Sequence, residues 1–120
     1  MTLGTRFATA LSERDADQLR ALLHPDVDFR GMTPSRFWEA RGPDAVLEHL
    51  LGGWFEPKDE IESLDALETD QVADRERVGY RVTVRNPDGR FLVEQQAYLG
   101  GSEDRIDWLR IMCVGMRPLG

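Results

Sequence analysis

VGYRVTVRNPDGRFLVEQQA, the stretch from Val78 to Ala97, decides more of the fold than any other segment of the chain. Val78, Tyr80, Val82 and Val84 alternate with Gly79, Arg81, Thr83 and Arg85, the period of two at which strand side chains point to opposite faces. Asn86-Pro87-Asp88-Gly89 then supplies turn chemistry: a proline that presets its own φ, an aspartate, and a glycine free to adopt positive φ. Pairing Val84 with Phe91 across that turn sets Val82 against Val93, Tyr80 against Gln95 and Val78 against Ala97. One face of the hairpin is therefore apolar apart from Tyr80 and Gln95, and must meet a covering layer. The other carries Arg81, Thr83, Arg85, Leu92, Glu94, Gln96 and Tyr98 and is mixed in polarity.

The covering layer is found upstream. Leu3, Phe7, Ala10 and Leu11 recur at helical spacing, and a second helix opens at Asp15, which can cap it while Gln18 stands at the reciprocal capping-box position. Pro25 is expected to end that helix, since the residue before a proline is pushed out of the helical region. A short strand follows with Val27 and Phe29 inward, and a second extended piece at 36–41 contains Phe37 and Trp38. Gly42-Pro43-Asp44 starts a third helix, with proline at a position where its missing N–H costs nothing. Val46, Leu47, Leu50, Leu51 and Trp54 form its apolar stripe, and Gly52-Gly53 marks where it weakens. From about Ile61 the period is two to the end, with a further turn at 100–104 and a last strand over 105–115.

At 120 residues the chain is expected to form one domain over 1–120. A net charge of −7 with no segregated basic stripe argues against nucleic acid. Arg75, Arg77, Arg81 and Arg85 are interrupted by Asp74 and Glu76 and read as a solvated strand face. The single cysteine, Cys113, lies between Met112 and Val114, so it forms no internal disulfide and reads as packing. No stretch approaches the roughly 18 apolar residues of a membrane span, and a cytoplasmic location is expected.

The order helix, helix, short strand, short strand, helix, long antiparallel meander resembles the SnoaL-like and nuclear-transport-factor-2-like superfamily. Three stretches carry the likeness: Asp15 to Phe29 with its His24-Pro25-Asp26 corner, Gly42-Pro43-Asp44-Ala45-Val46, and Arg105-Ile106-Asp107-Trp108-Leu109-Arg110. The resemblance implies an α+β cone, three N-terminal helices packed on a curved, mostly antiparallel sheet. It also hosts cyclases, isomerases, epoxide hydrolases and non-catalytic modules, so fold does not name an activity. Where the ketosteroid isomerases of this superfamily carry a tyrosine donor, a carboxylate base and a protonated aspartic acid, this chain has Phe7, Gly31 and Gln95. None of these can do that chemistry: a phenyl ring, no side chain, and an amide that donates a hydrogen bond but relays no proton.

Extending the apolar face across the 100–104 turn places Asp107, Leu109, Ile111 and Cys113 toward the helices. Tyr80, Gln95 and Asp107 are then the sparse polar groups of an apolar concavity, as small-molecule sites show. Asp107 and Tyr80 are the candidate catalytic residues, a desolvated carboxylic acid being able to act as general acid or base. Trp38, Trp54, Tyr80, Gln95 and Phe29 are the candidate ligand-binding set, the indoles by stacking. His24 reads as a carbonyl cap at a helix end. His24 and His49 have no third partner at metal spacing, so neither a metal site nor a cofactor is expected.

The resulting expectation is a cofactor-independent protein that binds a small hydrophobic molecule, with cyclase, isomerase or hydrolase chemistry as its catalytic form. A non-catalytic ligand-binding or protein-interaction module is the alternative. Leu92, Tyr98, Trp108 and Met112 on the mixed face predict a homodimer. The strand parity makes one sharp prediction for any coordinates: Tyr80 and Gln95 point into the cone and are hydrogen-bonded there. Finding either on the opposite face would remove the site.

Overall fold

The computed structural model describes residues 1–102 and 104–119. Its helices are α1 (Leu3–Ser12), α2 (Ala16–Leu22) and α3 (Pro43–Glu48), the last continuing into a π-helical turn, His49–Trp54. Its strands are β1 (Leu23–Thr33), β2 (Arg36–Arg41), β3 (Glu60–Val72), β4 (Arg75–Asn86), β5 (Gly89–Ser102) and β6 (Arg105–Pro118). They form one sheet in the order β2-β1-β6-β5-β4-β3, antiparallel at every pairing but β1 with β6. The three helices lie on one face, the α+β arrangement that the sequence pattern implies.

Local chemistry explains the helix starts. Thr2 accepts from Thr5 N at 3.1 Å and Asp15 Oδ1 from Gln18 N at 3.0 Å, each satisfying an otherwise orphaned first-turn donor. Gly42 takes φ +84° ahead of Pro43, a left-handed conformation that a side chain would resist. A long-range device ties α1 to the sheet: Glu76 Oε1 accepts from Gly4 N at 3.0 Å, placing a carboxylate at the positive end of the helix.

The β4–β5 hairpin has the register read from its turn. Val84 pairs with Phe91, Val82 with Val93, Tyr80 with Gln95 and Val78 with Ala97, and all but Phe91 are buried. Asn86 Oδ1 accepts from Asp88 N at 2.8 Å and closes the turn. The opposite face is a lattice of cross-strand ion pairs: Arg77 with Asp70 at 2.9 Å, Arg81 with Glu94 at 2.7 Å and Arg90 with Glu62 at 2.8 Å.

Three local expectations are corrected. Helix α2 ends at Leu22 and β1 already begins at Leu23, so Pro25 sits within the strand, where the β1–β6 register shifts between Leu23 and Asp28. Among the described residues His24 caps no carbonyl: its Nδ1 accepts from Asp26 N at 2.9 Å, a local turn at that irregularity. Asp107 is exposed and Ile106 fully buried, the reverse of the parity expected after the 100–104 turn. A bulge is the cause. Gly100 pairs with Trp108 but Gly101 with Ile106, so Asp107 is the extra residue and the alternation flips around it. Glu103, within that turn, lies outside the described residues.

A buried carboxylate that no motif announces anchors the start of β3. Asp59 accepts from Glu56 N and from Asn86 Nδ2, both at 2.9 Å, tying the segment after the π-helical turn to the hairpin end.

The π-helical turn delivers Trp54 onto β1. A Cβ built on Gly31 would stand 2.5 Å from two indole carbons of Trp54, so the strand has room for the ring only because Gly31 has no side chain. Gly31→Ala is therefore expected to cost about 1–3 kcal/mol through overpacking, read as a lowered midpoint in urea unfolding, with a shift in tryptophan emission as Trp54 is displaced. Unchanged stability and emission would show that the contact is not restrictive.

Candidate functional site

Between the π-helical turn and the sheet lies a cavity of about 210 Å³. Its wall draws on four regions: Thr33 at the end of β1 with Ser35 beyond it, Trp38 on β2, Gly53 and Trp54 from the π-helical turn with Phe55 after it, and Val93, Gln95, Cys113, Gly115 and Met116 from β5 and β6. Gly115 adopts φ +87° at a second β5–β6 irregularity, where Val93 pairs with Met116 and Gln95 with Cys113. Bulges of this kind re-aim side chains and often border sites.

Aromatic rings set the cavity's shape. Trp38 and Trp54 meet edge to face at 6.1 Å and 83°. Phe29, fully buried, supports Trp54 from behind at 5.7 Å between centroids and does not line the cavity. Trp38 is fixed on its other sides: its Nε1 donates to Thr33 Oγ1 at 3.0 Å and the Arg36 guanidinium lies 3.8 Å over its ring.

Tyr80 and Gln95 point to the interior and bond to one another. Tyr80 Oη donates to Gln95 Oε1 at 2.6 Å with both side chains buried. Burial, and secondarily the neighbouring Cys113, pushes the Tyr80 phenol well above its usual range. The hydroxyl is thus a hydrogen-bond donor at any neutral pH, and it orients the amide by engaging its oxygen. With its folded-state pKa above the unfolded one, the phenol contributes stability that is present below its ordinary pKa and is lost as pH rises from there through the raised one.

Two buried donors on residues of this wall have no partner among the described residues. Gln95 Nε2 and Trp54 Nε1 are both buried and unbonded. Such groups are uncommon, because leaving one orphaned costs about 1–3 kcal/mol.

The structure thus brings together Trp38, Trp54 and Gln95 in the wall, with Tyr80 immediately behind Gln95 and Phe29 behind Trp54. It leaves Asp107 out: the bulge turns that side chain to solvent, away from the cavity. Among the described residues the wall carries no carboxylate, histidine or lysine. Gly31, where the resemblance expects a base, is where the Trp54 ring packs. Phe55, Thr33, Cys113 and Gly115 were missed as wall residues. Alternation toward the apolar face does place Cys113 there, whereas the others depend on how the π-helical turn and the β6 irregularity meet.

A family model described as SnoaL-like domain matches residues 5–100. No curated protein matches the chain. Among solved structures, a provisionally named isomerase from Rhodopseudomonas palustris superposes with a TM-score of 0.76 at 17% identity, covering 94% of this chain and 90% of that one. An LEH-like epoxide hydrolase of M. tuberculosis gives 0.65 at 15%, covering 92% and 79%. A provisionally named polyketide cyclase from Sinorhizobium meliloti gives 0.64 at 19%, covering 91% and 92%. At these identities the likeness establishes the shared fold.

Because Tyr80 and Gln95 satisfy one another, replacing one alone orphans the other. Tyr80→Phe and Gln95→Leu are each expected to cost about 1–3 kcal/mol, and the double variant less than their sum, since both polar groups then leave the apolar face together. Additive losses in a denaturation cycle would mean the bond contributes nothing.

Proposed function

The chain belongs to the SnoaL-like domain family, and on that premise we propose that it binds a small hydrophobic molecule in the cone cavity, without a cofactor. One observation carries the reading: a 210 Å³ space walled by Trp38, Trp54, Phe55 and Val93, with Gln95 as its buried polar group. Apolar walls with few convergent polar groups are what ligand sites present. The similar structures include proteins named for isomerase, epoxide hydrolase and polyketide cyclase activities, which makes catalysis on such a molecule a reading to weigh. The composition of the wall favours the ligand-binding form instead. Acid–base chemistry needs a group that exchanges a proton near neutrality, and the Tyr80 phenol is held protonated and spent on Gln95.

The same reading takes residues 1–120 as one domain, resident in the cytoplasm. No helix of the described residues is long and apolar enough to cross a membrane. The ion-paired arginines of β4 offer no free cationic stripe for nucleic acid.

A second observation supports a homodimer. Met32, Phe37, Tyr98 and Met112 are exposed around an apolar groove of about 250 Å³ on the face away from the helices, rimmed by Arg30, Glu39 and Arg110. Of the residues first expected in this patch, Trp108 is half-buried under the guanidinium groups of Arg75 and Arg110, 4.0 and 4.4 Å from its ring centroid. An apolar patch with a charged rim is the anatomy of an interface.

Titration with indane, followed by tryptophan emission, is expected to saturate. Cys113→Leu, which fills the cavity from its wall, should weaken that binding at least about tenfold. Absence of saturable binding by a folded protein would overturn the ligand-binding reading. Sedimentation is expected to give a dimer at micromolar concentration and a monomer for Phe37→Glu; a monomeric parent chain would exclude the proposed pairing.

A further inference from the structure

Side chains from distant elements close the π-helical turn. Its last backbone bond runs from Phe55 N to Leu50 O at 3.0 Å, the i to i+5 spacing of π geometry. Glu56 N, next at that spacing, does not reach back to Leu51 O. It donates instead to Asp59 Oδ2 at 2.9 Å, while Leu51 O accepts from Arg14 Nη2 at 3.2 Å. Both bonds bear on one choice. In α geometry Phe55 N would bond to Leu51 O, so Arg14 supplies that carbonyl with the proton that tightening the turn would otherwise bring it. Asp59 holds the chain just beyond the turn, and the carboxylate is itself buried and pinned by Asn86 Nδ2 at 2.9 Å.

Arg14 stands where a side chain is disfavoured. Arg14 N donates to Leu11 O and Asp15 N to Ala10 O, both at 3.0 Å, the paired bonds of a helix C-terminus followed by a left-handed residue. Arg14 is that residue, with φ +52°. Glycine suits such a position best, so the backbone of this corner gains nothing from arginine, whereas the π-helical turn gains a donor.

We infer that His49–Trp54 is a two-register element, and that Arg14 and Asp59 are positioning residues that hold it in the π register and so fix Trp54 in the cavity wall. Tightening this turn to α geometry would rotate the side chains at its end by about one residue, roughly 100° around the axis. Gly53 would then take the direction that Trp54 has now, and the indole would leave both Gly31 and the cavity. The consequence for ligands rests on the ligand-binding reading above: the shape of the cavity, and with it what fits there, follows the register.

The indole N–H resonances of the full chain, labelled with nitrogen-15, test this, that of Trp54 being assigned with Trp54→Phe. Arg14→Gly suits the left-handed backbone and removes the guanidinium. It is expected to stay folded and to move the Trp54 resonance while that of Trp108 keeps its place. Asp59→Ala should move the same resonance in the same direction. Deleting Gly52, where an added Cβ would meet nothing within 4 Å, shortens the turn by one residue, so that α geometry then delivers Trp54 in its original direction. Arg14→Gly alone is expected to weaken indane binding at least about fivefold, and deleting Gly52 in that background to restore both the affinity and the Trp54 resonance. A parental Trp54 resonance in Arg14→Gly would overturn the inference, packing on Gly31 then sufficing to hold the register. A displaced resonance that the deletion does not restore would also overturn it, because Arg14 would then support the fold without selecting a register. A parent chain that binds no indane would remove the ligand-binding reading, and the indole resonances would still decide the register.

Discussion

The register of the β4–β5 hairpin is the constraint on which the rest depends. Sliding one strand by a single residue would turn every side chain of that strand to the other face, exchanging valines for arginines at the helix layer. With Val84 on Phe91, the buried side chains of both strands join one core with those of the helices, and Tyr80 falls opposite Gln95. Two polar groups in an apolar layer are tolerable because they lie opposite one another and bond at 2.6 Å. That bond, in turn, decides which end of the Gln95 amide is free. A local turn therefore reaches, through strand parity, to one buried hydrogen bond behind the cavity wall.

Irregular backbone shapes the site as much as regular pairing does. The third helix changes from α to π geometry at His49, and the wider turn carries Trp54 across to β1, where Gly31 leaves space for it. π-helical segments concentrate at functional sites, and here the segment supplies Gly53, Trp54 and the following Phe55 to the cavity wall. The β5–β6 pair contains two breaks in register. The one at Gly100-Gly101 expels Asp107 to solvent, while the one near Gly115 brings Cys113 and Met116 round the cavity mouth. With Asp107 turned to solvent, the cavity wall carries no charged side chain among the described residues.

The opposite face follows different physics. Its arginines pair with acids on other strands, Arg77 and Arg81 with the adjacent strand and Arg90 across β4 with Glu62; such pairs near the surface contribute little to stability individually but keep the face charged and set against nonspecific pairing. The apolar groove around Phe37 and Met112 interrupts that lattice toward the β1–β2 end of the sheet. Thr83 and Ser63 donate to Asp65 at 2.6 and 2.7 Å, and these bonds, the Thr83 one foremost, hold the Asp65 carboxyl below its usual range. The stability they contribute is present above the ordinary carboxylate pKa and is lost as pH falls through the lowered one.

The amino-acid sequence by itself determined the element order, the helix caps at Asp15 and Gly42-Pro43, and the hairpin register, because each rests on residues adjacent in the chain or on a strict period. It also put Tyr80 against Gln95 and set Trp38 and Trp54 toward the concavity. Only the tertiary structure decided the rest. The Asp107 flip depends on where β6 can pair with β1 and β5 at once, a competition between distant strands that no local pattern records. Strand entry at Leu23 overrode the proline signal at Pro25 for the same reason, since pairing with Ile106 extends β1 backward. The buried Asp59, held by Asn86, and the meeting of Gly31 with Trp54 join residues far apart in the chain. Which donors remain unspent could be settled only by packing, because a hydrogen bond's availability is fixed by every neighbour that might have taken it.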